Sequence, residues 1–562
     1  MALFVVVCLF VFGAQADSGP ARHAIASAHP AATAAGREIL DAGGNAFDAA
    51  IAVAAALAVA EPYSSGIGGG GFFLLHHAAD GSDTFIDARE TAPAAATHDM
   101  YLDEHGEFVR ERSLNGALAA AIPGLPAALA HIARSHGTLP LTVSLAPAIR
   151  LARDGFRTGE RYRMMAGYRA ETLAQDPMAS QIFLRDGAAP PAGTLIVQPH
   201  LARTLASIAA DGAESFYRGE LAALLVAGVR AAGGIWTRAD LASYTVRERA
   251  PVVAEYRDIR VVSAPPPSSG GIVLIEALNI LERYDLAQQD AATRVHLVIE
   301  AMRRAYRDRA DFLGDPDFTD IPLARLLADD YAAWLARDLD PAAATPSAAL
   351  PPIGARPEGE DTTHFSVIDA AGNRVAATLS INTPFGATLV PPGTGVVLNN
   401  EMDDFSARPM TPNTYGLVGA GANSIAPAKR PLSSMTPTFL VGPHRVGILG
   451  TPGGSRIISM VLIGALEFAH GGGAQAIVGA RRYHHQYLPD HVQYEHDGFD
   501  AALRAALAAR GHTLEEVGRN YGNMQAIVWD RAADTLEAAS DPRGEGGAAV
   551  WAPAMQGATS AR

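Results

Sequence analysis

At 562 residues, 49% hydrophobic and 18% charged, the chain has a globular composition and is long enough to fold without covalent staples. Its net charge of −15 argues against a nucleic-acid binder, which needs a basic face. The one cysteine, Cys8, lies in an apolar N-terminal stretch. If that stretch is removed, no thiol remains for a disulfide, a metal or a nucleophile, and covalent chemistry falls to Ser, Thr or another side chain.

Ala2 to Ala14 is apolar and runs into Ala14-Gln15-Ala16, the pattern of a secretory signal peptide cut before Asp17. No Lys or Arg precedes it, so an uncleaved anchor is the alternative reading. Ala46 to Ala60 is almost wholly apolar, with Asn45 as N-cap and Asp48 in its first turn, which predicts a buried helix. Gly66-Ile67-Gly68-Gly69-Gly70-Gly71 follows a turn at Pro62 to Ser65, and Phe72 to His76 reads as a strand. Helical patterns recur between 115 and 250, as in Ala127 to His136 and Leu201 to Ala210. Val252 to Val262 predicts strands, and a Pro-Ser-Gly turn from Pro265 to Gly271 leads into a helix from Ile272 to Arg283.

Asp340 to Asp361 is rich in Pro, Ala and Gly without hydrophobic period and reads as a surface loop or linker. Thr362 to Ile368 and Val375 to Asn382 alternate on either side of an Asp369-to-Asn373 turn, which predicts a hairpin with one apolar and one polar face. Asp361-Thr362-Thr363-His364 stands where linker meets strand. It reads either as two strand threonines beside a His, or as an autocatalytic cleavage site. In the second reading the Thr362 hydroxyl attacks the Asp361 carbonyl, the peptide shifts to an ester, and water releases an N-terminal Thr. An α-amino group titrates near about 7.7–8.0 and can serve as base for its own hydroxyl.

Val446 to Leu449 enters Gly450-Thr451-Pro452-Gly453-Gly454-Ser455 and then an apolar helix from Arg456 to Leu466. The turn lacks both phosphate-loop patterns. It is either an ordinary strand-to-helix turn or a source of backbone N–H groups, from Gly453 and Gly454, for an oxyanion. The acids of Asn399-Asn400-Glu401-Met402-Asp403-Asp404 are either solvated loop residues or, with Asn382, a cage for an ammonium group. Ser433-Ser434 offers two hydroxyls, and Arg89 a bidentate partner for a carboxylate. His484-His485 and His491 do not have metal-ligand spacing.

Taken together, these segments resemble the γ-glutamyltransferase (γ-glutamyltranspeptidase) family of N-terminal-nucleophile hydrolases, from about Ala24 to about Arg543. The resemblance rests on Gly66 to Gly70, Asp87 to Pro93, Thr362 to Val367, Leu398 to Phe405, Lys429 to Met435, Pro452 to Arg456 and Ser540 to Arg543. It implies an α+β fold, a four-layer αββα sandwich processed into a large subunit (17–361) and a small subunit (362–562) that stay associated. It implies Thr362 as nucleophile, Thr363 and Ser380 as its orienting hydroxyls, and Gly453 and Gly454 as oxyanion hole. Arg89, Ser433 and Ser434 hold the donor's α-carboxylate, and Asn382, Glu401 and Asp404 its α-ammonium. Pro409 to Ile425 resembles a lid loop with Tyr415 as its shielding aromatic.

The implied activity is transfer of the γ-glutamyl group of glutathione-like donors through a Thr ester to water, amino acids or dipeptides. It needs no cofactor and no metal, involves no nucleic acid, and places the mature protein beyond the inner membrane, in the periplasm, with no stable span. Two other readings stand beside it: a cephalosporin-acylase-type amidase, whose acyl groups lack the ammonium, and a non-catalytic secreted binding protein on the same fold.

Overall fold

The helix Ala46–Ala60 is buried along its entire length. Its start is fixed locally. Asn45 Oδ1 accepts from the N–H groups of Phe47 and Asp48, and Asp48 Oδ2 accepts from Asn45 N at 3.0 Å, a reciprocal capping box. The start is also fixed from afar, because Asp369 Oδ2 in the hairpin turn accepts from Ala46 N at 2.9 Å. Asp48 in turn accepts from Thr138 N at 3.0 Å and Thr138 Oγ1 at 2.7 Å. These contacts appear in a computed structural model that describes residues 19–350, 362–406 and 421–553. The expected signal peptide, the Asp361 side of the expected cleavage point, and Tyr415 lie outside the described residues.

Two sheets carry the fold. In the seven-stranded sheet the order is Gly547–Trp551, His23–Ser27, Thr363–Ile368, Arg374–Ser380, Gly70–His77, Ser82–Ala88, Arg247–Arg249. The six-stranded sheet runs Thr535–Ser540, Gln525–Asp530, Arg445–Gly450, Thr438–Val441, Ile259–Ser263, Val252–Tyr256. The Thr363–Ile368 and Arg374–Ser380 strands pack face to face on Arg445–Gly450 of the other sheet. Pro30–Asp41 and Ala46–Ala60 cover the far side of the first sheet, and Gly270–Leu281, Arg456–Ala469 and Ala474–Gly479 that of the second.

The hairpin is antiparallel, with Leu379 opposite Thr363 and Thr378 opposite His364. One face was expected to be polar and the other apolar, but all thirteen residues of its two strands are buried. Phe365, Val367, Val375, Ala377 and Leu379 pack toward the helix Ala46–Ala60. The polar set faces the second sheet instead of water, and its groups pair there: Thr378 Oγ1 lies 2.8 Å from His364 Nδ1. Burial pushes the His364 imidazole down to about 3, so it is neutral. A Cβ on Gly450 would lie 2.3 Å from the His364 ring, so that position admits glycine alone.

The expected surface linker after Asp340 is partly anchored. Ser347 is buried, its Oγ donates to Tyr487 O at 2.6 Å, and its N–H donates to Asp490 at 2.7 Å. Other boundaries differ from expectation by a turn or less, as in Gly270–Leu281 and Arg456–Ala469.

Asp48 connects the buried helix to the loop at Thr138, so Asp48→Ala strands several donors. The expected loss of stability is about 3 kcal/mol, against about 1 kcal/mol for Asn45→Ala. Urea denaturation of the two variants checks the ranking; equal losses would mean that Asp48 acts as a helix cap only.

Candidate active site

Thr362 is one step beyond the last paired rung of the hairpin, which sets it across from Ser380. Both line one pocket with Asn382, Arg89, Asp404, Ser433, Ser434 and Gly454. Thr362 is 4% exposed, so its hydroxyl is shielded from bulk water. Ser380 Oγ accepts from Asn382 N at 2.7 Å, which turns the chain out of the strand, and Asn382 has a positive φ of 74°. The Asn382 amide donates to Asn400 O at 2.9 Å and so joins the hairpin to the acidic segment.

Thr363 points elsewhere. Successive strand residues face opposite sides, and Thr363 Oγ1 donates to Glu61 Oε2 at 2.8 Å behind the sheet. Glu61 follows the buried helix, and Tyr63 donates to its other oxygen at 3.1 Å. Thr363 therefore anchors the strand rather than lining the pocket. Glu61 escaped the sequence reading because it lies 302 residues from Thr363.

The Gly453-Gly454 turn leads from the strand Arg445–Gly450 into the helix Arg456–Ala469. Gly453 has φ 141° and Gly454 φ 54°, a region that side chains with a Cβ rarely adopt. A Cβ on Gly453 would also lie 2.5 Å from Met460 Cε. Neither glycine N–H takes part in a backbone hydrogen bond among the described residues. Gly454 lines the pocket, and Gly453 precedes it in the turn.

Arg89 is the electrostatic centre. It follows the strand Ser82–Ala88, is 1% exposed, and donates from Nη1 to Glu401 Oε2 at 2.7 Å and from Nη2 to Asp404 Oδ2. Its Nε donates to Pro431 O at 3.1 Å. The carboxylate partner and the ammonium partners expected from sequence are thus in direct contact. Glu401 and Asp404 are on a single 3-10 turn, Glu401–Asp404. Asp404 opens on the pocket, while Glu401 is buried behind Arg89.

Burial disfavours the Arg89 cation, but Glu401, Asp404 and Glu90 outweigh it and hold the proton more tightly than usual. Burial pushes the Glu401 carboxyl up to about 7 against the pull of Arg89, with Asp404 adding to the rise. Glu90 lies 3.7 Å from Arg89, and neither of its oxygens has a hydrogen-bond partner among the described residues. Burial and the Glu401 charge push it far above the usual carboxyl range, so it is neutral.

Arg309 is a second cation in the pocket wall, missed from sequence. Its helix, Ala291–Phe312, is dense in charge, yet Arg309 is 4% exposed. Nη2 donates to Ser434 Oγ at 3.2 Å and Nε to Ser269 Oγ at 2.9 Å. Both acceptors are hydroxyls, and burial pulls the guanidinium down to about 10. Ser433 is held by backbone contacts: its N–H donates to Pro267 O, and its carbonyl accepts from Ser269 N, both at 2.8 Å. The expected lid is described only from Gly421 on, where Asn423 Nδ2 donates to Asp404 O at 2.7 Å and Ile425 is buried beside Met402 and Phe405. His484 and His485 each bond to a separate partner, His484 to Ser459 and His485 to Asp490, and share no site.

The pocket therefore sets a buried threonine beside a glycine turn, two guanidinium groups and a carboxylate. Residues 32–551 match the sequence profile of γ-glutamyltranspeptidase. The chain is 44% identical to a glutathione hydrolase proenzyme of Pseudomonas sp. (strain A14), over 86% of this chain and 84% of that protein. It is 41% identical to the glutathione hydrolase proenzyme of Escherichia coli (strain K12), over 92% and 90%. Its structure superposes on that of a cephalosporin acylase from Bacillus halodurans with a TM-score of 0.82 at 30% identity, covering 97% of this chain and 99% of the other. A mixed helix-and-sheet architecture, the match across nearly the whole sequence and these relatives agree, and the chain belongs to the γ-glutamyltranspeptidase family.

Proposed function

We infer that this protein is a γ-glutamyltransferase, made as a proenzyme, that cleaves the γ-glutamyl amide bond of glutathione. The observation that carries the reading is one pocket holding Thr362, Arg89, Asp404 and Gly454 in a chain 41–44% identical to glutathione hydrolase proenzymes. Self-cleavage between Asp361 and Thr362 yields a large subunit (17–361) and a small one (362–562). The Thr362 hydroxyl attacks the Asp361 carbonyl, the C–N bond breaks to leave an ester and a free α-amine, and water hydrolyses the ester. The freed amine then acts as base.

In the reaction on the donor, Thr362 Oγ attacks the γ-carbonyl while its α-amine takes the proton. The N–H groups of Gly453 and Gly454 receive the oxyanion, a contribution of about 10²–10³ per donor. The amine returns its proton to the leaving group, and a γ-glutamyl-Thr ester remains. Water resolves it to glutamate, or an amino acid or dipeptide amine takes the group. Ser380 orients the nucleophile. Arg89, Ser433 and Ser434 bind the α-carboxylate, with Arg309 holding Ser434 in place, and Asp404, Asn382 and Glu401 serve the α-ammonium. Tyr415 and its loop screen the ester from water. Export to the periplasm precedes this work, led by residues 1–16; among the described residues no helix is long and apolar enough to cross a membrane.

The acylase reading concerns the same fold. Asp404 on the pocket wall and Glu401 behind it favour a donor with an ammonium, which glutaryl-type acyl groups lack.

Thr362→Ala is expected to leave a single uncut, inactive chain, and in the native protein the small fragment should begin at Thr362. N-terminal sequencing that finds any other start rejects the cleavage point. Asp404→Asn, once processed, removes the counter-charge of the ammonium. Breaking a desolvated charge pair costs about 2–5 kcal/mol, so preference for γ-glutamyl over glutaryl anilide should fall about 30-fold or more in kcat/KM. An unchanged preference removes Asp404 from the ammonium site.

Glu401 gives a pH signature. Above about 7 it is a carboxylate and attracts the ammonium; as pH falls through that value it protonates and the attraction is lost. The Thr362 amine also loses its base form toward acid. Wild-type kcat/KM should therefore fall with two protons on the acid side, and Glu401→Gln with one. Parallel acid limbs would show that Glu401 does not titrate in the working range.

A further inference from the structure

Away from the pocket, side chains from distant parts of the chain meet at one edge of the seven-stranded sheet. His77 ends the strand Gly70–His77, His131 lies in the helix Leu125–Ser135, and His136 terminates that helix. Glu248 sits in the edge strand Arg247–Arg249. His131 Nε2 is 2.6 Å from Glu248 Oε1, and His136 Nε2 is 3.6 Å from that same oxygen. One nitrogen from His131, one from His136 and one Glu248 oxygen all lie within 4.8 Å of one another.

An ion pair between His131 and Glu248 accounts for the first contact and leaves the second unexplained. His136 Nε2 is buried and has no hydrogen-bond partner among the described residues. Its other nitrogen, Nδ1, is 3.1 Å from His77 Nε2. With the proton on Nδ1 and directed at His77, the Nε2 lone pair faces Glu248 and His131. The rings are held in that attitude. Phe47 packs against His77 and His136 at centroid distances of 4.6 and 5.8 Å, and Asn45 Nδ2 donates to the His136 carbonyl at 2.8 Å.

We propose that His131 Nε2, His136 Nε2 and a Glu248 carboxylate oxygen form a binding site for a divalent transition metal of the zinc type. Water fills the fourth position, and His77 orients His136 from behind. Zinc bonds of about 2.0–2.2 Å at tetrahedral angles set ligand atoms about 3.3 Å apart, a spacing that the 2.6 and 3.6 Å contacts bracket. The Glu248 side chain is 48% exposed and can shift by the few tenths required. An imidazole held on its far nitrogen is the usual second layer of a zinc site. His131 must move its proton from Nε2 to Nδ1. Arg134, now 3.1 Å from Nδ1, is exposed and can turn to solvent. The metal would tie the end of the helix to the edge strand, a structural clamp distinct from the chemistry at Thr362.

The test uses the full-length, untagged protein stripped with a chelator and titrated with Zn²⁺ or Co²⁺. Expected are one high-affinity metal per chain, the visible absorption of tetrahedral Co²⁺, and a rise in Tm with Zn²⁺, since a ligand that binds only the folded state stabilises it. His136→Ala and Glu248→Gln should lose this binding while still self-processing and hydrolysing γ-glutamyl anilide like wild type. His77→Ala should weaken it about 10- to 100-fold. No stoichiometric binding at micromolar free Zn²⁺ overturns the proposal, as does binding that persists in both His136→Ala and Glu248→Gln. An unchanged affinity in His77→Ala overturns the role given to His77.

Discussion

One buried guanidinium organises the pocket. Arg89 faces Glu401, Asp404 and Glu90, and a single cation cannot neutralise three carboxylates, two of them fully buried. The surroundings settle the excess. Glu90, with no hydrogen-bond donor to its oxygens among the described residues, is pushed toward its neutral form by burial, and Glu401 is raised to about 7. With Glu401 ionised, the two cations Arg89 and Arg309 balance the two anions Glu401 and Asp404. A zwitterionic ligand end leaves that balance intact, whereas a ligand bearing only a carboxylate adds an unmatched negative charge. In the proposed reaction, selectivity for an α-amino acid end would thus rest on the whole set rather than on one contact.

The same cluster joins distant stretches of chain. Arg89 comes from the end of one strand, its two acids from a 3-10 turn more than 300 residues later, and its Nε reaches the carbonyl of Pro431. Arg309 arrives on a long helix and meets the serine pair through Ser434. These elements can converge because both sheets are already packed, with the Gly453-Gly454 turn leading from one of them into its covering helix.

What the sequence discloses follows from how local each determinant is. The helix Ala46–Ala60 is legible to the residue because Asn45 and Asp48 close its first turn within four positions. The hairpin is legible because alternation and turn lie within twenty residues. The direction of Thr363 is not, since it depends on a carboxylate in another element, Glu61. Arg309 is hidden for a similar reason: Arg303, Arg304 and Arg309 give their helix a charged look, and the partners that make burial of Arg309 tolerable, Ser269 and Ser434, are brought to it by tertiary packing. The pairing of Arg89 with Asp404 was missed because two groups expected to serve opposite ends of a ligand are in contact with each other in the structure.

Strand geometry links scaffold and chemistry at one place. Thr362 and Thr363 are consecutive, so the pleat sends one side chain into the pocket and the other behind the sheet to Glu61. The strand they begin lies between His23–Ser27 on one side and Arg374–Ser380 on the other. A chain cut just before Thr362 would release a new terminus without releasing the strand, because its backbone ladder to both neighbours and the Thr363 anchor begin after the cut. Residues before the cut pair on both flanks of residues after it, His23–Ser27 with Thr363–Ile368 and Gly70–His77 with Arg374–Ser380. Separation of the two pieces would break two ladders and open the core between the sheets, so cleavage can free the Thr362 amine while leaving the pocket around it in place.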